Sequence, residues 1–321
     1  MKLLKHLVII LVFANIQVGC AQNDSKEKNN TMNSLKTDYI QEMLNVHTTV
    51  KMYDYNPIYL LKVNAAFCTY EIFINDMLAD FSFTTGNTAG EQPIQISQFI
   101  PVSKDYRMKI KVYPKAVEPG ILAQSIDVNA ILNVRVMYGD FQREMPSNFH
   151  EVMNIAMPNQ EVPVPYYEFD TVFNAKVPYV LEAWNKGMDL SKEDPKKLEK
   201  EAIALYDEFS NIFKTKNLEK FARLTYKRRR EVSQAYFFNK ASIDKEWVNG
   251  MQEVFSGYTG TQEFSNFKLE YFGGNKVIGL IITEGKFKSH TAFAVKSNGG
   301  IEFFPLYLYR PSPGAPLEVI R

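Results

Sequence analysis

The sequence predicts a mainly β part, an antiparallel sandwich, followed by an α+β part, and three observations carry that prediction. Between about Tyr53 and Tyr179, β-branched and aromatic residues gather in short runs punctuated by Pro, Gly, Asn and Asp. Past Trp184 the polar stretch Asn185 to Lys197, which carries Gly and Pro, breaks that pattern. Beyond it, apolar residues recur at three- and four-residue steps and then return to strand-like runs set between glycines.

Thr37 to Val46 reads as a short helix, with Ile40, Met43 and Leu44 at helical spacing. Seven candidate strands follow: Tyr59–Val63, Tyr70–Ile74, Met77–Phe83, Ile94–Phe99, Arg107–Tyr113, Ile131–Tyr138 and Tyr166–Phe173. Short strands with no helix between them specify a sandwich, because each sheet needs a second one to cover its apolar face. Asn75-Asp76 joins two runs and predicts a tight hairpin turn, since both residue types tolerate positive φ. From Arg107 to Tyr113, Met108, Ile110 and Val112 alternate with Arg107, Lys109 and Lys111, so one face is core and the other faces water.

In the second part, Leu198, Ala202, Leu205, Phe209 and Ile212 share one face of a helix. Asn217 caps a second helix carrying Leu218, Phe221 and Leu224. A third runs from Ser242 to Gly257, with Trp247, Met251, Val254 and Phe255 on its buried side. The strands Phe267–Tyr271, Lys276–Ile282, Phe287–Val295 and Ile301–Tyr309, separated by Gly273-Gly274, Glu284-Gly285 and 297–300, should form a four-stranded meander covered by these helices. The layout resembles the cone-shaped fold of nuclear transport factor 2-like proteins. Pro311 to Pro316 should end the fold. The resulting division is a sandwich over 37–184, a linker over 185–197 and the α+β part over 198–321.

Ahead of these lie Lys2 and Lys5, then the apolar run Leu7 to Phe13, the n- and h-regions of an export signal. A spanning helix needs about 20 apolar residues to cross the hydrocarbon core, and Asn15 and Gln17 interrupt this run first. The run ends in Val18-Gly19-Cys20, which resembles the lipobox of bacterial lipoproteins, with Gln17 where that family usually has Leu. The resemblance implies cleavage of residues 1–19 and a diacylglycerol on Cys20. Acyl chains contribute ~0.8 kcal/mol per buried methylene, enough for a durable tether when two or three are present. An ordinary signal cut after Ala21 is the other reading. Residues 20–36 then form the lipidated cysteine and a flexible stalk, too poor in apolar side chains to order itself. Ala21 is not the Asp that retains such lipoproteins at the inner membrane of enteric-type bacteria, so the resemblance implies the outer membrane.

Without residues 1–19 the chain carries 35 basic and 36 acidic side chains. Near-neutrality argues against a nucleic-acid partner. The charge is uneven: residues 41–180 carry 10 basic and 15 acidic side chains, residues 190–240 carry 13 and 8, and the opposite signs suit docking of the two parts. With Cys20 lipidated, Cys68 has no intrachain partner, and its apolar surroundings predict an inert buried thiol.

The short-range signatures of nucleophilic and metal chemistry, Gly-x-Ser-x-Gly, His-Glu-x-x-His and Cys-x-x-Cys, do not occur, and His47, His150 and His290 stand far apart in sequence. No catalytic residue, metal or cofactor is therefore assigned. Glu168 with Asp170, and Glu71 with Asp76, are carboxylate pairs read as solvated surface. Lys227, Arg228, Arg229 and Arg230 are the densest charge and the candidate contact for lipid headgroups or an acidic partner, beside the alternative of a solvated helix end. Tyr70 to Ile74, the Asn75-Asp76 turn and Arg107 to Tyr113 resemble the strand layout of jelly-roll, galactose-binding-like domains. That resemblance implies exposed aromatics for stacking on sugar, and Tyr53, Tyr55, Tyr59, Phe81 and Phe83 are the candidates. The sequence thus points to an envelope lipoprotein with a protein or glycan partner, working by binding, as an inhibitor or immunity protein against an envelope-directed toxin would. Alternatives are a carbohydrate-binding lipoprotein and an envelope hydrolase in which Glu168, Asp170 or His290 converge in space.

Overall fold

The computed structural model describes residues 38–85, 92–297 and 300–321; the signal segment, Cys20 and the stalk lie outside them. In chain order the N-terminal strands are β1 (Ile58–Ala66), β2 (Cys68–Ile74), β3 (Met77–Ser82), β4 (Gln92–Gln95), β5 (Lys104–Pro114), the small hairpin β6 (Ala116–Glu118) and β7 (Ile121–Leu122), β8 (Ile131–Gly139), β9 (His150–Ala156) and β10 (Tyr167–Ala175). They form two antiparallel sheets, β4-β1-β8-β9 and β10-β5-β2-β3, whose facing sides share one core around Leu61, Ile72, Ile110 and Val134. Six of the seven expected strands are present, and of Ile94–Phe99 only Ile94 and Gln95 are strand, Ser97–Phe99 forming a 3-10 turn instead. β9 escaped the sequence because, of its seven residues, only Met153 is buried, so it carries no clear alternation. Asn75 and Asp76 both take positive φ, +45° and +63°, as the two-residue turn between β2 and β3 requires.

The helices are α1 (Asp38–Leu44), α2 (Pro195–Lys214), α3 (Leu218–Ala235), and a third helical segment built from α4 (Lys240–Ile243), a π-helical stretch over Asp244–Met251 and α5 (Gln252–Gly257). α2 starts three residues before the expected Leu198: Asp194 caps it by accepting from the Lys196 N–H, and Pro195 follows with its φ already set for a helix. Asn217 caps α3 as expected, accepting from the Lys220 N–H at 3.0 Å. The remaining strands are β11 (Gly260–Gln262), β12 (Phe267–Phe272), β13 (Val277–Ile282), β14 (Ala294–Ser297), β15 (Gly300–Phe303), β16 (Leu308–Tyr309) and β17 (Glu318–Val319), in two sheets ordered β11-β14-β15 and β12-β13-β16-β17.

The expected meander is broken in two places. Ser289 at φ +71° interrupts the run Phe287–Val295, and Pro305, which has no N–H to give a ladder, separates β15 from β16. The segment Pro311 to Pro316 does not end the fold, because β17 returns to pair with β16 and Leu317, Val319 and Ile320 are buried. Nor does the first helix belong with the sandwich: Ile40, Met43 and Val46 join the core formed by Leu198, Phe209, Phe221 and Trp247.

The stretch 185–197 is linker-like in composition and fixed in structure. Leu190 is fully buried, its N–H donates to the Asn275 carbonyl, and the Met188 N–H donates to Arg310. The Arg310 guanidinium in turn binds Glu193 at 2.9 Å and Glu201 at 2.7 Å. The sandwich core runs on without a break into Trp184, Phe272, Val277 and Tyr307, so the α+β part packs directly on the sheet containing β2. Every residue of β2 is buried for this reason: Tyr70, Ile72 and Ile74 face the sandwich interior, while Glu71 and Phe73 face the second part.

Candidate functional site at the junction

The Lys227 to Arg230 run lies inside α3, with five helical residues still to follow, so it is not a helix end, and successive side chains diverge around the helix. Lys227 donates to Glu182 at 3.1 Å and to the Tyr309 hydroxyl. Arg228 donates to the Pro305 carbonyl at 2.8 Å, and burial pushes its guanidinium down to about 10. Arg229 pairs with Glu246, and Arg230 is exposed. Three of the four cations are thus engaged within the fold, in three directions.

The candidate acids separate into two groups on one face of the sheet. Asp170 accepts from Arg107 Nε at 2.6 Å and Glu168 lies 3.9 Å from Lys109, both as exposed cross-strand pairs. Glu71 does not sit at the surface. Its carboxylate accepts from the Tyr113 hydroxyl at 2.7 Å and from the hydroxyl of buried Ser289, which reaches it from the second part. Beside this pair the Lys288 ammonium lies 4.0 Å from the Tyr113 ring and 4.4 Å from Phe83, and burial lowers its pKa. His290 stacks on Phe303 at 3.9 Å and meets the edge of Phe81 at 4.7 Å; burial pushes its pKa down to about 4. Ser289, His290 and Glu71 are neighbours, yet the serine donates straight to the carboxylate and the imidazole faces aromatic rings. An activated nucleophile needs the base between the two.

The other sequence candidates also have structural places. Cys68 is buried, its thiol pushed up to about 11 by desolvation. His150 lies 3.9 Å from Glu144 and His47 lies 3.2 Å from the Leu44 carbonyl. Among the described residues no group of three His, Cys, Asp or Glu could hold a metal ion, and no helix is long and apolar enough to cross a membrane. Of the aromatics proposed for sugar stacking, Tyr59 and Phe83 are buried, against Tyr138 and Tyr113, while Tyr53, Tyr55 and Phe81 are half-buried, against Phe237, Tyr138 and His290.

What the sequence did not reveal is a cleft where the two parts meet. The Asn75-Asp76 turn and the start of β5 form one wall, and the β12–β13 turn at Gly273-Gly274 forms the other. Trp184, Phe99 and Tyr106 lie buried at its base. The main chamber measures about 330 Å³, and a neighbour of about 180 Å³ shares Asp76 and Gly274 with it. Gly273 takes φ +55° and lies so close to Trp184 that a Cβ there would stand 2.6 Å from the indole nitrogen. Both turns were legible as turns; their apposition across some 200 residues of chain was not.

Behind the cleft the junction is closed by a buried ion pair. Arg321 binds Glu231 of α3 at 3.0 Å, with side chains only 1% and 6% exposed. Its Nε donates to the Gln98 carbonyl of the sandwich, its guanidinium lies 5.2 Å from the Trp184 ring, and Glu231 also accepts from the Ala183 N–H. Tyr236 donates to the Gln95 carbonyl at 3.1 Å, and Gln234 exchanges two hydrogen bonds with the Lys51 backbone. No family model, no curated protein and no solved structure matches the chain.

Proposed function

We propose that the chain is an envelope lipoprotein, tethered through lipid on Cys20, whose two-part body works by binding a partner. The export signal ending in Val18-Gly19-Cys20 supports the location. The junction carries the binding reading: its reactive side chains are committed to one another, Glu71 to Ser289 and Tyr113, Arg321 to Glu231, while a polar cleft remains open beside them. Engagement of this kind positions a surface; it does not generate a nucleophile or a free base. A binder fixed at the membrane needs only location and one complementary surface, which also suits an inhibitor or immunity protein guarding the outer membrane.

Affinity isolation of the full tethered protein from detergent-solubilised envelope tests this reading. Recovery of one stoichiometric protein or glycan partner is the expected result. Turnover of a glycan or ester panel by the purified protein, with no partner recovered, contradicts it.

A further inference from the structure

The lining of the junction cleft specifies a class of ligand. Lys104 and Arg107 of β5 approach from the sandwich, and Lys276, just before β13, approaches from the second part. Lys104 lies over the ring of its neighbour Tyr106 at 5.1 Å, and Lys276 donates to the Asn185 carbonyl. Neither forms an ion pair among the described residues. Arg107 donates Nε to Asp170 and its backbone N–H to Asn75 Oδ1, while the other guanidinium N–H groups have no hydrogen-bond partner among the described residues. A guanidinium presents five donors in a planar fork suited to carboxylate or phosphate, so most of that fork is available. The one carboxylate lining the main chamber is Asp76, which accepts no hydrogen bond among the described residues.

Three cations converging from two sides call for an anion. Asp76 among them works against a ligand that is charged all round and favours one that also offers hydroxyl groups. At about 330 Å³ the chamber sits at the small end of ligand pockets, far above the size of a bare phosphate. We infer that the cleft binds a hydroxylated anion of monosaccharide size, a sugar acid or sugar phosphate, with its anionic group among Lys104, Arg107 and Lys276 and a hydroxyl donating to Asp76. This inference rests on the binding reading above and names the ligand of the same junction. Because both parts contribute cations, the bound ligand bridges them and raises their common unfolding temperature, since it binds the folded state alone.

Calorimetric titration and thermal unfolding of the full protein with glucuronate, glucose 6-phosphate, glucose and inorganic phosphate test it. Saturable binding of glucuronate or glucose 6-phosphate with Kd at or below about 1 mM, and no binding of glucose, is expected. Lys276→Glu should weaken it by about tenfold or more, a charge-pair loss of at least about 1.4 kcal/mol. Lys104→Ala, at an exposed strand start, should weaken it less and leave the circular dichroism spectrum unchanged. Glucose binding as tightly as its acid, inorganic phosphate matching glucose 6-phosphate, affinity unmoved by Lys276→Glu, or no saturation by either sugar anion overturns the inference. None of these outcomes alters whether the tethered protein retrieves a macromolecular partner, so the two readings fail separately.

Discussion

Two halves of one sheet face bear the same kinds of side chain and meet opposite fates. On the β2 half, Glu71 and Phe73 are covered by the second part, and Phe73 is 8% exposed; on the β10 half, Glu168, Asp170 and Val172 stand in water, and Val172 is 58% exposed. All point to the same side of the sheet, because residues two apart along a strand share a face. A carboxylate in the covered half is a structural acceptor whose loss strands one buried and one half-buried hydroxyl, those of Ser289 and Tyr113. A carboxylate in the open half is a screened surface partner. Alternation tells which face a residue occupies, and only the rest of the fold tells whether that face is covered.

The largest effect should come from the buried pair that closes the junction. Glu231→Ala leaves the Arg321 guanidinium buried without its counter-charge, and urea unfolding should show a loss of about 3–5 kcal/mol. Glu71→Ala should cost about 2–3 kcal/mol by the same measurement, because Ser289 and Tyr113 both lose their acceptor. Equal small effects for Glu71→Ala and Asp170→Ala would erase the distinction between the halves.

The covered half also predicts a pH dependence. Folded His290 holds its proton only below about 4, whereas the unfolded residue takes one near pH 6.5. The unfolded state therefore binds more protons between those values, so stability should fall as pH drops from about 6.5 towards about 4, with no contribution above. Asp80, pushed up to about 7 by burial, acts in the opposite sense, costing stability as pH rises from about 4 to about 7. Comparing His290→Phe with the parent cancels the Asp80 contribution, and the parent's acid-side loss should be reduced in the variant. The smallest effect belongs to the open half: Asp170→Ala removes a pair with side chains about half exposed and should change stability by less than about 1 kcal/mol.

Much of the local structure was legible in the sequence. The Asn75-Asp76 turn, the Asn217 cap and the alternation from Arg107 to Tyr113 are short-range effects, and they fold as their residues dictate. The early start of α2 was also written, in Asp194-Pro195, but the apolar period begins only at Leu198. Other features depend on contacts far along the chain. α1 is amphipathic either way, and only packing sends Ile40 and Met43 to the second core. Glu71 looks like any strand acid until Ser289, 218 residues away, reaches it. The cleft is the extreme case, since Asp76, Lys104 and Lys276 lie far apart in sequence and only the fold brings them to one cleft.

Tethering of this two-part body at the envelope by lipid is our proposal, and the intact mass of the mature N-terminus decides it. The mature chain should begin at Cys20 and carry a diacylglycerol on its thiol. An unmodified chain beginning at Gln22 would contradict it.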